Sequence, residues 1–239
     1  MSSSRCLADA LQVRLRVVVY NVRGFRDGFD RLVRLVGHFA PDVLLLNETG
    51  GRWRLARFAG SLGMQVAADP RAWFRRRAKD AVLVRRPWRI SAHRQRRFEG
   101  TPTMYPRGAL VAELENGDER LVAISTHLGL HPLERLHDAH ELGRLMPHAG
   151  PGVIGGDLNE KPDGRAVASL SERFGDAWLL GGDADGDTFP ADEPASRIDY
   201  LFVTGGIAVE RVIVPPGEDA RLASDHRPLV AELALPDPQ

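Results

Sequence analysis

The 239-residue sequence is short of cysteine and has no excess of either charge, and each shortage excludes a class of protein. A single cysteine, Cys6, excludes an internal disulfide framework and a multi-cysteine zinc site. Lysine plus arginine total 32, as do aspartate plus glutamate, so no basic excess exists to hold the chain on nucleic acid by global charge. No apolar run approaches the roughly 20 residues that cross a bilayer. Residues 1–9 lack the apolar core of a secretory signal. These absences leave a soluble, cytoplasmic monomer as the expectation. With 43% hydrophobic and 27% charged content, residues 1–239 are expected to form a single domain with a large core, residues 1–12 being frayed.

Periodicity organises the chain. Residues 15–20 are a β-branched run ending at Asn21 and read as a buried strand. Phe29, Leu32, Val33, Val36 and Phe39 fall at helical spacing until Pro41 stops the pattern. Residues 43–46 form another buried strand, and Leu55, Phe58, Ala59 and Leu62 repeat the helical stripe before Gly63. Residues 64–126 read as strands only, at 81–84, 109–114 and 121–125, with Asn116-Gly117-Asp118 as a hairpin loop. A helix follows over residues 133–146, then a short strand at Val153 and Ile154. A second helix starts near Asp163 as N-cap, with Val167, Leu170 and Phe174 on one face. The tail returns to strands at 200–203, 207–214 and 228–235, and the acidic loop 181–194 is expected to be exposed. Mixed βα and hairpin segments in one chain point to two sheets packed together with helices outside.

The polar residues are positioned informatively. Asn21, Glu48, His127 and the pair Asp157 and Asn159 each appear where a buried strand emerges, at the rim where α/β sheets build sites. Asp199 and Asp225-His226 instead precede their strands. If all meet at one mouth, the late strands run antiparallel to the early ones.

Glu48 and Asp225 are hard oxygen donors suited to magnesium or manganese. Asp157 suits the acceptance of a proton from an attacking water, and Asn159 a hydrogen bond to a phosphoryl oxygen without added charge. His127 and His226 suit the supply of positive charge or protons, and a carboxylate such as Asp199 would fix a histidine tautomer. Together they are equipment for metal-assisted hydrolysis of a phosphate ester.

The segments Tyr20-Asn21-Val22-Arg23, Leu46-Asn47-Glu48, Ser125-Thr126-His127-Leu128, Gly156-Asp157-Leu158-Asn159, Arg197-Ile198-Asp199-Tyr200 and Ser224-Asp225-His226-Arg227-Pro228 occur in one order over residues 20–228. In this the chain resembles the endonuclease/exonuclease/phosphatase superfamily, which includes pancreatic deoxyribonuclease. The resemblance implies a four-layer α/β sandwich of two mixed β-sheets flanked by helices. It implies Glu48 as the principal metal ligand with Asn21 and Asp225 close by, and Asp157 positioning or deprotonating the water. Asn159 and His127 would contact the phosphate, and Asp199 would pair with the phosphate-contacting His226. Two positions depart from the family pattern: Asn47 stands where glutamine is usual, and Asp80 falls in a strand where asparagine is frequent. Asp80 near the mouth would repel a polyanion unless a cation offsets it.

Each residue also has a structural reading: Asn21 as a strand-ending hydrogen bonder, Asp157 and Asn159 as a turn, Asp199 as a surface partner of Arg197. His131, His137 and His140 read as a solvated helix face. Between Arg71 and Arg97 eleven basic residues face one acidic residue, Asp80, with Trp73, Phe74 and Trp88 interleaved. That segment, residues 71–97, suits DNA or RNA, an anionic membrane, or simply a solvated arginine-rich hairpin edge. Arg107 is expected to face the mouth as a substrate contact. The leading functional reading is a divalent-metal-dependent phosphodiesterase, with nucleic acid as first substrate class. The alternatives are hydrolysis of a phospholipid headgroup or small phosphorylated metabolite, and an inactive binding module on the same fold.

Overall fold

A computed structural model describes residues 12–69, 79–98, 106–147 and 149–236. Cys6 and the expected frayed N-terminus, but for residue 12, lie outside the described residues, as do Arg71, Trp73, Phe74, Arg75, Arg76 and Arg77.

The chain opens as β1 (Arg14–Asn21), a 3-10 turn (Arg23–Phe25), α1 (Phe29–Phe39), β2 (Val43–Asn47) and α2 (Arg52–Leu62). Ala40 (φ 46°) ends α1 just before Pro41, and Gly63 (φ 65°) ends α2 by giving its N–H to Ala59 and Gly60 carbonyls. Five described strands follow: β3 (Gln65–Ala68), β4 (Ala81–Val84), β5 (Arg89–Arg97), β6 (Gly108–Asn116) and β7 (Glu119–His127). Next come α3 (Pro132–Gly143), β8 (Gly152–Asp157), α4 (Arg165–Ser171), β9 (Gly175–Asp176) and α5 (Ala177–Gly181). The chain closes with β10 (Asp199–Val203), β11 (Ala208–Ile213), α6 (Glu218–Leu222) and β12 (Leu229–Ala234).

Two six-stranded sheets result, in the orders β11-β12-β1-β2-β4-β3 and β5-β6-β7-β8-β10-β9. β1 and β2 are buried on both faces, which is why they read as continuous apolar runs and not as alternating ones. Val17, Val19, Val43 and Leu45 point into the core between the sheets, with Leu110, Ala123 and Leu201 opposite. Val18, Tyr20, Leu44 and Leu46 point the other way, onto Leu32, Val36, Phe58 and Leu62 of the first two helices. A third core joins Ile124, Ile154 and Phe202 to Ala139, Leu142, Val167 and Leu170 of α3 and α4. The architecture is a four-layer α/β sandwich. β1 runs parallel to β2 and β7 parallel to β8, whereas β12 and β10 are antiparallel to β1 and β8. The polar strand ends therefore gather at one edge of the sandwich.

Several local expectations change. Asp163 does not cap α4; Gly164 does, and Glu160 Oε2 accepts the Ala166 N–H at 2.7 Å. β3 and β5 escaped the periodicity because they are edge strands with little buried surface. The loop 181–194 is not uniformly exposed, since Thr188 and Ala191 are buried. Along β5, Arg89 pairs with Glu115 (2.8 Å), Arg94 with Glu113 (3.4 Å) and Arg96 with Glu141 (3.3 Å), and Trp88 is core. Three of the four β5 arginines are thus paired with carboxylates, and the buried Trp88 cannot stack on a base. His131, His137 and His140 are exposed, and His131 Nδ1 caps α3 at Leu133 N.

Two glycines of β8 leave no room for a side chain, Gly155 against the other sheet and Gly156 against the neighbouring strand β7. A Cβ on Gly155 would lie 2.6 Å from Val19 Cγ2, and one on Gly156 would lie 1.7 Å from the Thr126 carbonyl oxygen. The neighbours at Gly155 are side-chain methyl groups, whereas at Gly156 the neighbour is a hydrogen-bonded backbone carbonyl that cannot move aside. Gly156→Ala is expected to cost about 3 kcal/mol and more than Gly155→Ala; urea-unfolding midpoints of the two variants check the order.

Candidate active site

Asp157, the last residue of β8, is the hub. Its Oδ1 accepts the Asn159 N–H at 2.9 Å, and its Oδ2 accepts from Asn21 Nδ2 at 3.1 Å. Asp157 Oδ2 also lies 3.3 Å from His127 Nε2 and 3.6 Å from His226 Nε2. These contacts come from strands distant in sequence because β7 pairs with β8 so that His127 sits opposite Asp157, and β10 so that Asp199 does.

Asn47 brings the other sheet in. Fully buried at the end of β2, it accepts the Asp157 N–H on Oδ1 (3.0 Å). Its Nδ2 donates to the Thr126 carbonyl (2.7 Å) and to Asp80 Oδ1 (2.9 Å). Ser125 Oγ adds a bond to the Leu46 carbonyl at 2.9 Å. Asn47 is thus a strap between the two sheets, fully buried and absent from the lining of the cleft described below. Asn21 Nδ2 reaches Glu48 Oε1 at 3.4 Å, which puts the next carboxylate beside the hub. Glu48 (φ 52°) and Asn159 (φ 51°) both adopt the left-handed backbone region, which asparagine tolerates but which is costly for glutamate and persists there only where surrounding structure enforces it.

The second limb is His226. Its Nδ1 is 2.8 Å from Asp199 Oδ2, which also accepts from Thr188 Oγ1 at 2.6 Å, and the Phe189 ring lies 4.9 Å from the imidazole. Asp199 does not pair with Arg197, whose guanidinium instead bonds both Asp176 oxygens at 3.0 and 2.8 Å.

Sequence reasoning treated the two histidines alike, and burial separates them. Desolvation pulls His226 down, but the Asp199 carboxylate bonded to it, with Asp157 and Asp225 nearby, outweighs burial and raises it to about 10. His127 is pulled down to about 3 by burial, against Asp157 and with Arg107 and His226 reinforcing. At neutral pH His226 is an imidazolium and His127 a neutral ring; Asn159 Nδ2 sits 3.0 Å from His127 Nε2 and donates to the Leu128 carbonyl, also at 3.0 Å. Asp80 is pushed up to about 7, chiefly by burial and against its bond from Asn47, so near neutrality half of its charge is removed. The repulsion expected of Asp80 is correspondingly reduced.

These groups floor an open cleft of about 870 Å³, lined by Glu48, Asp80, His127, Asp157, Asn159 and His226. Its walls are cationic: Arg26, Arg54, Lys79 and Arg107. Trp53 and Leu130 stand at its lip. Two expected residues are placed less directly. Asn21 turns its amide nitrogen, not its oxygen, toward the carboxylates. Asp225 Oδ2 is taken by Arg23 Nε at 3.1 Å, and Asp225 does not line the cleft. Thr188, Asn47 as a strap, Trp53 and Arg26 went unrecognised in the sequence. Thr188 lay in a loop taken for solvent, and nothing local marks the others.

Two places offer oxygen donors for a cation. Glu48 is half-buried and faces the cleft, and ligand atoms of Asp157, Asp199 and His226 lie within 4.8 Å of one another. The donor set fits a hard divalent ion at Glu48 better, because His226 Nδ1 and Asp199 Oδ2 are already bonded to each other whereas Glu48 opens onto the cleft.

A buried carboxylate–imidazole network at one end of a two-sheet sandwich defines a class of hydrolase, and the comparisons identify it. The chain belongs to the Endonuclease/Exonuclease/phosphatase family, whose family model matches residues 18–226. Members of this family hydrolyse phosphoesters and typically depend on a divalent metal. No curated protein matches the sequence. Among solved structures, an endonuclease/exonuclease/phosphatase protein from Bacteroides vulgatus is similar at TM-score 0.82 and 18% identity, over 94% of this chain and 100% of that one. A mannosyl-6-phosphatase from Bacteroides thetaiotaomicron is similar at TM-score 0.78 and 20% identity, over 92% and 100%. TDP2 from D. rerio, in complex with a single-strand DNA product, is similar at TM-score 0.74 and 16% identity, over 92% and 98%. At these identities the structures share the fold. Among the described residues no helix is long and apolar enough to cross a membrane.

Two outcomes are expected from the electrostatics. Asp199→Asn removes the main attraction on the His226 proton, so the ring's pKa, followed by imidazole NMR, falls from about 10 toward or below the ordinary histidine value. Asp80 holds its proton up to about 7 when folded and to 3.8 otherwise, so it draws stability down as pH rises between those values. Asp80→Asn should flatten that decline and gain a few kcal/mol above pH 7, read from unfolding curves of both proteins across the range.

Proposed function

We propose that the protein is a divalent-metal-dependent phosphoesterase acting on a phosphodiester, with nucleic acid as its first substrate class. The observation that carries this reading is the placing of an imidazolium, His226, and a carboxylate, Asp157, 3.6 Å apart on the floor of a cleft with cationic walls.

A divalent cation held by Glu48 on the cleft side would supply charge to offset the phosphoryl oxygens and their leaving group. The chain's own residues do the rest. Asp157, held by the Asn159 N–H and the Asn21 amide, accepts the proton of the attacking water on a carboxylate that cannot rotate. His226, locked on Nδ1 by Asp199, keeps its positive charge near Nε2 and meets negative charge developing on the phosphoryl group. Neutral His127 and Asn159 contact the phosphate without adding charge, while Arg107 and Arg26 attract the flanking ester.

The breadth of the cationic walls favours a diester over a compact monoester, since one phosphate would leave most of them unused. Balanced net charge and the paired arginines of β5 favour the second reading, a small phosphorylated metabolite. In magnesium or manganese the protein should cleave oligonucleotides and bis(p-nitrophenyl) phosphate, and chelator should abolish both. Asp157→Ala should lower kcat by about 10²–10⁴-fold, and Glu48→Gln should weaken the metal dependence. Undiminished turnover in both variants would overturn the assignment, and phosphate release confined to monoesters would favour the second reading.

A further inference from the structure

Of the large apolar side chains left exposed among the described residues, Trp53 is the most open, at 79%. Its position is not that of a stray surface residue. It occupies the first turn of α2, five residues after the backbone turn at Glu48, and lines the same cleft as Glu48 and Asp157. Arg52 and Arg54 flank it in sequence, and Arg54 Nη1 is tied to the Gly24 carbonyl at 3.0 Å, which fixes that side of the lip. Arg26 lines the same wall from the loop after β1, with no hydrogen bond or ion pair to another described residue. Leu130, 65% exposed, lies on the lip too, after β7.

We infer that Trp53 is a stacking platform for an unpaired base, so that the cleft takes single-stranded nucleic acid with the base beside the scissile phosphate on the indole. This rests on the phosphodiesterase reading and names the substrate form within it. A planar, exposed indole on a cleft whose walls carry guanidinium groups is the combination that holds single strands: cations track the phosphates, and the aromatic face accepts any base. Charge complementarity selects this occupant. The cleft walls carry Arg26, Arg54, Lys79 and Arg107, and the apolar side chains beside them, Trp53, Leu130 and Pro106, are outnumbered by charged and polar ones. A duplex keeps its bases stacked on one another and offers the indole nothing.

The test measures binding without turnover, on an Asp157→Asn background in magnesium buffer, by anisotropy of a labelled oligothymidylate. Trp53→Ala should weaken binding about tenfold, while Trp53→Phe should recover most of the loss. An abasic oligonucleotide of the same length should bind the parent as weakly as oligothymidylate binds the alanine variant, and should be insensitive to the substitution. Equal affinity of parent and Trp53→Ala overturns the inference, as does an equal loss with the abasic strand. Stronger, Trp53-dependent binding to vesicles of phosphatidylglycerol and phosphatidylcholine than to the oligonucleotide also overturns it, in favour of a lipid surface. Hydrolysis of bis(p-nitrophenyl) phosphate by the unsubstituted protein keeps the two readings apart: if it persists while strand binding ignores Trp53, the stacking inference fails and the phosphoesterase stands.

Discussion

A carboxylate with almost no exposed surface, like that of Asp157, must find hydrogen-bond donors or lose its charge, and the arrangement of the sandwich's open edge follows from that requirement. No single strand supplies enough donors. Asn21 comes from the first sheet, while the Asn159 N–H, His127 and His226 come from β8 and its neighbourhood or from the end of the chain. Satisfying one buried oxygen pair therefore requires β1, β7, β8 and the segment before β12 to end at the same place. Asn47 reinforces the point by bonding the backbone of both β7 and β8 from the other sheet, so the hub cannot shift without breaking a buried amide's bonds.

The same constraint divides the chemistry between two histidines of nearly equal burial. His226 has a dedicated counter-ion in Asp199, itself bonded by Thr188, and retains a proton. His127 has Arg107 and His226 among its neighbours and gives its proton up. One ring supplies charge and the other shape. This is an assignment by environment, as expected where titratable groups of one type share a site.

Much of the framework was legible in the residues. The strands ending at Asn21, Asn47, His127 and Asp157 announced themselves as apolar runs stopping at a polar residue, and the opposite polarity of Asp199 and Asp225 required antiparallel late strands. The edges were not legible. β5 carries four arginines and no apolar alternation, because an edge strand needs only a partner's backbone and not a buried face. Asp163 looked like a cap by type, yet the Ala166 N–H was satisfied by Glu160, since capping depends on which oxygen reaches the donor and not on which residue precedes the helix.

Local pattern, then, determined which residues end the buried strands and which of them carry oxygen or imidazole, because hydrophobic periodicity and donor chemistry are properties of the chain itself. Tertiary structure alone decided their charge states, the pairing of Arg89, Arg94 and Arg96 with Glu115, Glu113 and Glu141, the burial of Trp88 and the placing of Trp53 on the cleft. Those outcomes depend on desolvation and on distances through space, and neither quantity exists until the two sheets have closed on one another.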